Sequence, residues 1–241
     1  MKLKKLLKYF FFFLMTIGLS ILFSFSNTRN NSHKVGVSFV EFSSGDNNFL
    51  THSMVNKLLI QSAEKMQNKP KSVIDLYVLE NNVSKNPYVE KADVFLTVDG
   101  SLKSVIKQRE PVARILGDNT VYYIDKQGVK MPLSPNYSSR VLLVSGVNSD
   151  DEITELLQLI NEIKKDDFLV KEIVGIVKSD ENEFQLSVRS GDYKIDFGDL
   201  SQMKLKFKKL KAFYNTTFED KTIQNYKTIN VKYHNQVVCT K

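Results

Sequence analysis

The stretch NPYVEKADVFLTVDGSLKSVIKQREPVARI, residues 86–115, decides the fold of the central part of the chain. Apolar and polar residues alternate on both sides of an Asp99-Gly100 pair, the pattern of two antiparallel strands joined by a tight turn. The inward-facing residues are expected to be Ala92, Val94, Leu96 and Val98 on the first strand, and Leu102, Ser104 and Ile106 on the second. The stretch has no catalytic pair, no metal-ligand spacing and no phosphate loop. It predicts a hairpin without chemistry of its own.

A strand and two helices are predicted before this hairpin. VGVSFV (35–40) is apolar and β-branched, as in a strand. In FLTHSMVNKLLIQSAEKM (49–66) the apolar residues fall at helical spacing and Thr51 is placed to cap the helix, which Pro70 ends. Ser72 is placed to cap a second helix. The predicted order is β-α-α-β-β.

The rest of the chain indicates a second α+β domain. TVYYIDKQGVKMPL (120–133) predicts a hairpin turning between Asp125 and Gly128, and RVLLVSGV (140–147) predicts a buried strand. SDDEITELLQLINEIKKDD (149–167) predicts a helix with an acidic first turn and with lysines in its last turn, as the helix dipole favours. The expected apolar stripe of this helix is Ile153, Leu156, Leu157, Ile160 and Ile163.

Three short strands, a helix and a final strand are predicted to complete this domain. The strands are EIVGIV (172–177), EFQLSV (183–188) and YKIDFG (193–198). The helix is expected over about 200–214, with Met203, Phe207, Leu210 and Tyr214 on its apolar face. The lysines of KLKFKKLK (204–211) would then lie on its solvated face, although a weak role in binding an anionic partner stays open. The final strand is expected from about Thr228 to the end.

The N-terminus predicts a membrane anchor. Residues 9–28 carry no charge, which is enough length for a helix to cross about 30 Å of hydrocarbon. The lysines of residues 1–8 favour a cytoplasmic N-terminus and an exported remainder. Residues 29–34 are expected to be a polar tether. A cleaved signal peptide with Ser24-Phe25-Ser26 at its cleavage site is the alternative, and it is disfavoured because the apolar run is long and has no alanine there.

The composition excludes several classes of function. The chain has 241 residues, 42% of them apolar, and a net charge of +7. Four of these charges come from the lysines of residues 1–8, so the remaining 233 residues carry 7 − 4 = +3, which argues against nucleic acid as a partner. The single cysteine, Cys239, excludes an intramolecular disulfide.

No residues of the chain form a recognisable catalytic, cofactor or metal site. His33, His52 and His234 have no metal-ligand spacing, and no GxSxG or phosphate-loop motif is present. Cys239 is either a nucleophile or, as a lone cysteine in an apolar strand more often is, a small packed hydrophobic residue. A binding protein without a small-molecule substrate is therefore the expected class.

The C-terminal stretch YKTINVKYHNQVVCTK (226–241) is the candidate binding element. It alternates as a strand and contains no proline. At a sheet edge such a strand exposes unpaired backbone groups, and binding proteins use such edges to add a partner's strand. The same pattern also fits a central strand of the sheet, so both positions stay open.

These segments together resemble the bacterial cell-division family FtsQ (DivIB). NPYVEKADVFLTVDGSLKSVIKQREPVARI resembles the signature of that family's POTRA module, a β-α-α-β-β unit. YYIDKQGVKMPL resembles the D-x-x-G segment that opens its β domain, and the C-terminal stretch resembles its last strand. The resemblance implies an α+β protein: a cytoplasmic tail (1–8), one transmembrane helix (9–28), a tether (29–34), a POTRA module (35–115) and a β-rich domain with two or more helices (116–241).

The resemblance also implies a function. The family's members are non-enzymatic subunits of the division machinery, held in the cytoplasmic membrane by one helix with the C-terminal domain outside and enriched at the septum. Their last strand binds FtsB-type bitopic proteins by strand addition, with FtsL-type proteins bound to these. Carried over to this chain, the partner-binding residues are Tyr233, Asn235, Gln236, Val237, Val238, Cys239 and Thr240, and the recruitment surface of the POTRA module is Tyr88, Val89, Lys91 and Asp93. The family's frequent tryptophans are absent from this chain.

Two alternatives from other classes stay open. One is a POTRA-bearing component of envelope transport or a chaperone, although such proteins usually carry several modules or a membrane barrel. The other is an envelope hydrolase that uses His52 or Cys239.

Overall fold

The computed structural model describes residues 2–32, 38–43, 49–63, 75–97, 100–117, 120–219 and 222–241. Its contacts divide the chain into two compact units. The first comprises Met1–Asp46 and Leu50–Gln108, and the second comprises Asn47–Phe49 and Arg109–Lys241. Both units contain helices and strands, so the predicted α+β class is confirmed.

The chain begins with a single long helix, α1, which runs over Lys2–Ser32. Its segment Leu6–Arg29 has a mean hydropathy of 2.0 and is not buried within the protein. By length and composition this segment is sufficient to cross a membrane. The predicted N-terminal apolar helix is therefore confirmed, and it extends beyond the expected limits of 9 and 28 because the polar residues on both sides continue the same helix.

The rest of the first unit is a three-stranded sheet with two helices. Its elements are β1 (Ser38–Phe42), α2 (His52–Ala63), α3 (Leu76–Ser84), β2 (Val89–Leu96) and β3 (Leu102–Gln108). The strand β3 is central, because it pairs in parallel with β1 and antiparallel with β2. The predicted β-α-α-β-β order is confirmed.

The two helices of this unit begin at side-chain caps. The hydroxyl of Thr51 accepts a hydrogen bond from the N–H of Met54, as predicted for the start of α2. The cap of α3 is Asp75, whose carboxylate accepts a hydrogen bond from the N–H of Val78. Ser72 and Pro70 lie outside the described residues, and the capping role of Asp75 was not among the predictions.

The hairpin packs as its alternation predicts. Leu102, Ser104 and Ile106 are all buried on β3, and Ala92 and Val94 are buried on β2. Leu96 is half-buried and packs against the same core, whereas Val98 and Asp99 lie outside the described residues. The register of β2 and β3 is therefore set by one apolar face against α2 and α3.

The second unit is built on a nine-stranded sheet. Its elements are β4 (Pro111–Leu116), β5 (Val121–Asp125), β6 (Lys130–Pro132), β7 (Leu142–Ser145), α4 (Asp150–Ile163), α5 (Asp167–Glu172), β8 (Ile173–Lys178), β9 (Phe184–Val188), β10 (Lys194–Gly198), α6 (Met203–Glu219), a 3-10 helix (Ile223–Asn225), β11 (Thr228–Asn230) and β12 (Val238–Thr240). The strands lie in the order β12-β11-β10-β9-β8-β7-β4-β5-β6. One core contains side chains from the sheet together with those of α4 and α6.

The helix α4 shows why this sequence folds as it does. Ser149 caps it by accepting a hydrogen bond from the N–H of Glu152. The Glu152 carboxylate in turn accepts a hydrogen bond from the N–H of Ser149, and the two bonds form a capping box. The buried residues of the helix are Ile153, Leu156, Leu159, Ile160 and Ile163. The prediction included Leu157, which is only partly buried, and omitted Leu159. The helix ends at Ile163, so Lys164 is its C-cap and does not lie in its last turn.

Two expectations about the strands are corrected. The expected limit at residue 115 had placed PVARI at the end of the first unit. Pro111–Leu116 instead pairs with β5 and β7 of the nine-stranded sheet, so PVARI is the start of the second unit. The strand β7 is buried on one face only, because Val144 is fully buried whereas Leu143 is 47% exposed.

Candidate functional site

The C-terminal stretch forms a hairpin. The single strand expected from Thr228 to the end is wrong: β11 and β12 are separate strands, with residues 231–237 reversing the chain between them. They pair antiparallel, with Ile229 opposite Cys239. The strand β12 is the outermost strand of the sheet. Of the two positions left open by the sequence, the structure therefore shows the edge.

The predicted partner-binding residues divide between this reversal and the edge strand. Tyr233, Asn235 and Gln236 lie exposed in the reversal, and Tyr233 does not lie in the middle of a strand as expected. Val237 packs partly against the core. Val238, Cys239 and Thr240 form β12 itself. The structure therefore brings three of the seven residues together on the edge, with the other four leading into it.

The two faces of β12 differ. Val238 is 40% exposed, and Thr240 is exposed as well. Cys239 points the other way and packs against the core of the second unit. Burial raises the pKa of its thiol, which lowers the fraction of the nucleophilic thiolate. Cys239 is thus placed as a packing residue of the edge strand.

The helix α6 holds the reversal in place. The ammonium group of Lys209 donates hydrogen bonds to the carbonyl oxygens of Val231, at 2.8 Å, and Tyr233. Burial, with a smaller effect from the nearby Lys206 charge, lowers the pKa of Lys209. At the end of β11, the Asn230 side chain accepts a hydrogen bond from the N–H of Lys232 at 2.9 Å. Lys209 has no local signal in the sequence, because its role depends on carbonyl groups more than twenty residues away.

The opposite edge of the same sheet is protected. It is formed by β6, a strand of three residues that contains Pro132. Proline has no N–H to offer to an incoming strand. Lys130 on the same strand forms an ion pair with Asp150 at 2.9 Å, and lysine on an edge strand disfavours further pairing. Because β12 contains neither proline nor lysine, the two ends of the sheet are not equivalent.

The lysine run of α6 only partly follows its prediction. Lys204 and Lys208 are exposed, as expected for a solvated face. Lys206 is 5% exposed, and its ammonium group donates to the Asp199 carboxylate at 2.6 Å. Hydrogen bonds from Lys206 and then from Ser201 lower the pKa of Asp199. For Lys206 the solvated-face prediction is wrong, because this tertiary ion pair accompanies its burial.

The predicted recruitment surface of the first unit is also partly corrected. Val89 is 1% exposed and belongs to the core, so its side chain is not available at a surface. Tyr88 is half-buried against the same core. Lys91 is exposed and forms an ion pair at 2.9 Å with Asp93, whose side chain is half exposed. These two are the members of this set with charged groups at the surface.

The D-x-x-G segment, Asp125 to Gly128, connects β5 to β6. Asp125 is 2% exposed, and one of its carboxylate oxygens accepts hydrogen bonds from the N–H groups of Gln127, at 2.8 Å, and Val129, at 2.9 Å. The other oxygen accepts from Arg109 at 2.7 Å. Gly128 has a φ of 83°, which glycine adopts without strain. The acidic residue of this segment therefore closes a hairpin and anchors the start of the second unit.

The residues considered for chemistry are not assembled into a site. His52 lies in α2 and packs edge-to-face on Phe42, and His234 is exposed in the reversal, whereas His33 falls in a range outside the described residues. Across the part of the chain that the structure describes, no three His, Cys, Asp or Glu side chains are grouped so that they could hold a metal ion.

The N-terminal apolar helix, the β-α-α-β-β unit and the β-rich unit that ends in an edge strand define the class as a membrane-anchored POTRA protein. Residues 35–107 match the model of the POTRA-like domain. Residues 110–240 match the family model described as FtsQ/DivIB, C-terminal related. Since this second match spans more than half of the chain, the chain belongs to the FtsQ/DivIB family.

This membership makes the chain a membrane-anchored, division-associated protein whose partners are other division proteins. Both matched families generally consist of non-enzymatic scaffold domains. The limit between the two matches, at residues 107 and 110, falls where the contacts divide the chain. A search of curated proteins found none that matches the chain.

Proposed function

We propose that this protein is a non-enzymatic scaffold of the division machinery that binds FtsB-type bitopic proteins, and through them FtsL-type proteins, by strand addition at β12. The observation that carries this proposal is that β12 is the outermost strand of its sheet and contains no proline. An edge strand of this kind offers a row of backbone N–H and C=O groups to an incoming strand.

The surroundings of β12 support the proposal. A partner strand gains affinity from backbone hydrogen bonds and specificity from alternate side chains. Val238 and Thr240 are exposed on one face of β12 and are available for this contact. Tyr233 is 51% exposed in the reversal next to the strand, and an exposed aromatic side chain of this kind is a frequent anchor of protein interfaces. The hydrogen bonds from Lys209 pre-organise the reversal and so reduce the entropy lost on binding.

The proposal includes a topology and a location. Residues 1–8 lie in the cytoplasm, the apolar part of α1 crosses the cytoplasmic membrane, and both units lie outside it, enriched at the septum. The lysines that precede the apolar segment support this orientation. Recruitment to the septum uses the first unit, with Tyr88, Lys91 and Asp93 as its candidate surface.

Two proline variants of the full-length protein test strand addition. Successive N–H groups of a strand point to opposite sides, so one of Val238→Pro and Cys239→Pro removes an N–H directed toward β11 and the other removes an N–H at the open edge. The variant that loses the N–H directed toward β11 is expected to have a lower melting temperature. The variant that loses the N–H at the open edge is expected to keep the melting temperature and to lose capture of the FtsB-type protein in a pull-down.

Thr216→Ala, an exposed position on α6, is the matched control and is expected to retain both properties. A proline variant that keeps its melting temperature and still captures the partner at the wild-type level would refute strand addition at β12.

A further inference from the structure

The three-stranded sheet of the first unit exposes an aromatic row at one of its ends. Phe39 of β1 pairs in register with Lys103 of β3, and Lys103 pairs with Phe95 of β2. Phe39 is 56% exposed and Phe95 is 41% exposed, so two phenylalanine rings flank one lysine on the outer face of the sheet. The lysine forms an ion pair with Glu41 at 2.7 Å. We call Phe39, Phe95 and Lys103 the aromatic row.

The topology places this row at the end of the sheet where the chain arrives from α1. The strands β1 and β3 are parallel and β2 is antiparallel to them, so the start of β1, the start of β3 and the end of β2 lie at the same end. A groove at this end is lined by Phe39, Val40, Glu41, Thr97, Ser101 and Lys103. Lys91, near the start of β2, marks the opposite end.

The length of the chain limits the distance between this end and the membrane. The apolar segment of α1 ends at Arg29 and the helix ends at Ser32, which adds about 4.5 Å along the helix axis. The next described residue is Ser38, and the six peptide steps from Ser32 to Ser38 span at most about 21 Å. The start of β1 therefore lies within roughly 26 Å of the end of the membrane-spanning segment.

This limit is close to the length of the sheet itself. The eight residues of β2 extend over about 23 Å. If the opposite end of the sheet faced the membrane, the connection from α1 would have to be almost fully extended, which costs conformational entropy. With the aromatic row toward the membrane, the length of the chain does not require an extended connection.

We propose that the aromatic row rests on the lipid surface of the membrane that α1 crosses, with both phenylalanine rings at the level of the headgroups and the upper acyl chains. Exposed aromatic rings beside a lysine are the composition of membrane-interface segments, because the rings leave water and the ammonium group stays near the headgroups. This contact fixes the orientation of the first unit on the bilayer. It rests on α1 as a membrane anchor and does not depend on strand addition at β12.

The absence of tryptophan from the chain permits a direct test. Phe39→Trp, Phe95→Trp and Lys91→Trp each introduce one emitter into the full-length protein, reconstituted as one copy per nanodisc to exclude contacts between copies. Lys91 is the matched control, because it lies on the outer face of the same strand as Phe95, four residues away and toward the opposite end. Circular dichroism melts confirm that each variant is folded.

Emission is compared between nanodiscs of phosphatidylcholine and nanodiscs of the same lipid brominated in its upper acyl chain. Phe39→Trp and Phe95→Trp are expected to lose a large part of their emission in the brominated lipid, and Lys91→Trp is expected to lose none. Unchanged emission at positions 39 and 95 would overturn the proposal and show that the row faces water or a protein. Equal quenching at all three positions would also overturn it, because the contact would then not be confined to this end of the sheet.

Discussion

Lys209 on α6 donates a hydrogen bond to the main-chain carbonyl of Tyr233, and the same ammonium group donates to the carbonyl of Val231 at 2.8 Å. This one half-buried lysine of the helix thus contacts the main chain at two positions in the first half of the reversal. The position of β12 at the sheet edge follows from this reversal, since the chain turns back after β11 and pairs with it.

The first prediction concerns this contact. Lys209→Met keeps the length of the side chain and removes its donors, so the reversal loses order in the free protein. We expect partner binding to weaken by about tenfold, which is the cost of ordering one or two residues on binding. The free energy of unfolding is expected to fall by no more than about 1 kcal/mol. Isothermal titration of the full-length protein in detergent with the FtsB-type partner measures the affinity, and urea unfolding measures the free energy of unfolding.

Lys208→Met is the control, since Lys208 is the exposed neighbour on the same helix. Binding by Lys209→Met equal to that of Lys208→Met would show that the reversal keeps its order without Lys209.

The second prediction concerns Gly146, which follows β7 with a φ of 78°. A Cβ at this position would lie 1.9 Å from the carbonyl oxygen of Lys178. Gly146→Ala therefore combines an unfavourable backbone conformation with a clash against backbone atoms, and we expect it to destabilise the protein by more than about 3 kcal/mol. The melting temperature of the full-length protein in detergent measures the effect.

Gly128→Ala separates the two contributions. Gly128 also has a positive φ, of 83°, but its added Cβ would meet only side-chain atoms of α4, at 3.3 Å or more. We expect a loss of only about 1–2 kcal/mol for Gly128→Ala. Equal losses for the two variants would mean that β8 moves to accommodate the methyl group.

The third prediction is a pH dependence that originates from Glu152. Its carboxylate accepts hydrogen bonds from Lys178, at 2.7 Å, and from the N–H groups of Asn148 and Ser149. These contacts, with Lys178 the largest, lower the pKa of Glu152 from 4.5 to about 2. Because the folded pKa is depressed, the stabilisation is complete above pH 4.5 and is lost as the pH falls through about 2.

Glu152→Gln keeps an acceptor for the capping box and removes the charge. After allowance for solvent screening, we expect the wild type to lose about 1–2 kcal/mol more than Glu152→Gln between pH 6 and pH 2. Urea unfolding of the full-length protein in detergent at a series of pH values measures the difference. Parallel pH profiles for the two proteins would exclude Glu152 as the source.

The fourth prediction concerns a hydroxyl network in the core of the second unit. Tyr193 donates to the hydroxyl of Tyr214 at 2.7 Å, and Tyr214 donates to the Glu172 carboxylate at 3.1 Å. Burial raises the pKa of both tyrosines above the ordinary value, which keeps the hydroxyls protonated as donors. Tyr193→Phe and Tyr214→Phe are each expected to cost about 1–2 kcal/mol.

The two losses are not expected to add, because the hydroxyls belong to one chain of hydrogen bonds. The double variant should be more stable than the sum of the single losses implies by about 0.5–1 kcal/mol. Tyr77→Phe, on a residue that is 75% exposed, is the neutral control. Strict additivity in urea unfolding would show that the two hydroxyls act independently.

Local periodicity predicted most of the elements correctly. The inward set of the hairpin at residues 92–106 follows from period-two alternation, which needs no knowledge of the rest of the fold. The stripe of α4 follows in the same way from helical spacing. Local periodicity does not determine which strands pair with each other. The alternation of PVARI fits either sheet, and only its pairing with β5 and β7 assigns it to the second unit.

The position of the C-terminal stretch in its sheet was only partly predictable. Its alternation fitted both an edge strand and a central strand, and β12 is the edge strand. That the seven residues proposed for this stretch bind a partner stays a prediction. The reversal before β12 was missed because VKYHNQVV, residues 231–238, contains neither glycine nor proline and keeps the alternation of a strand. Its turn depends on Lys209, and the burial of Lys206 depends in the same way on Asp199. Both are tertiary contacts, which a local pattern does not encode.

Hydrogen exchange at β12 tests strand addition most directly. The amides of residues 238–241 are measured in the full-length protein with and without the extracytoplasmic segment of the FtsB-type partner, and β6, the proline-containing edge of the same sheet, serves as the internal reference. Strand addition predicts that exchange in β12 slows by at least about tenfold on binding, because N–H groups at the open edge become hydrogen-bonded, and that exchange in β6 stays unchanged. Binding of the partner without any slowing in β12 would contradict the account.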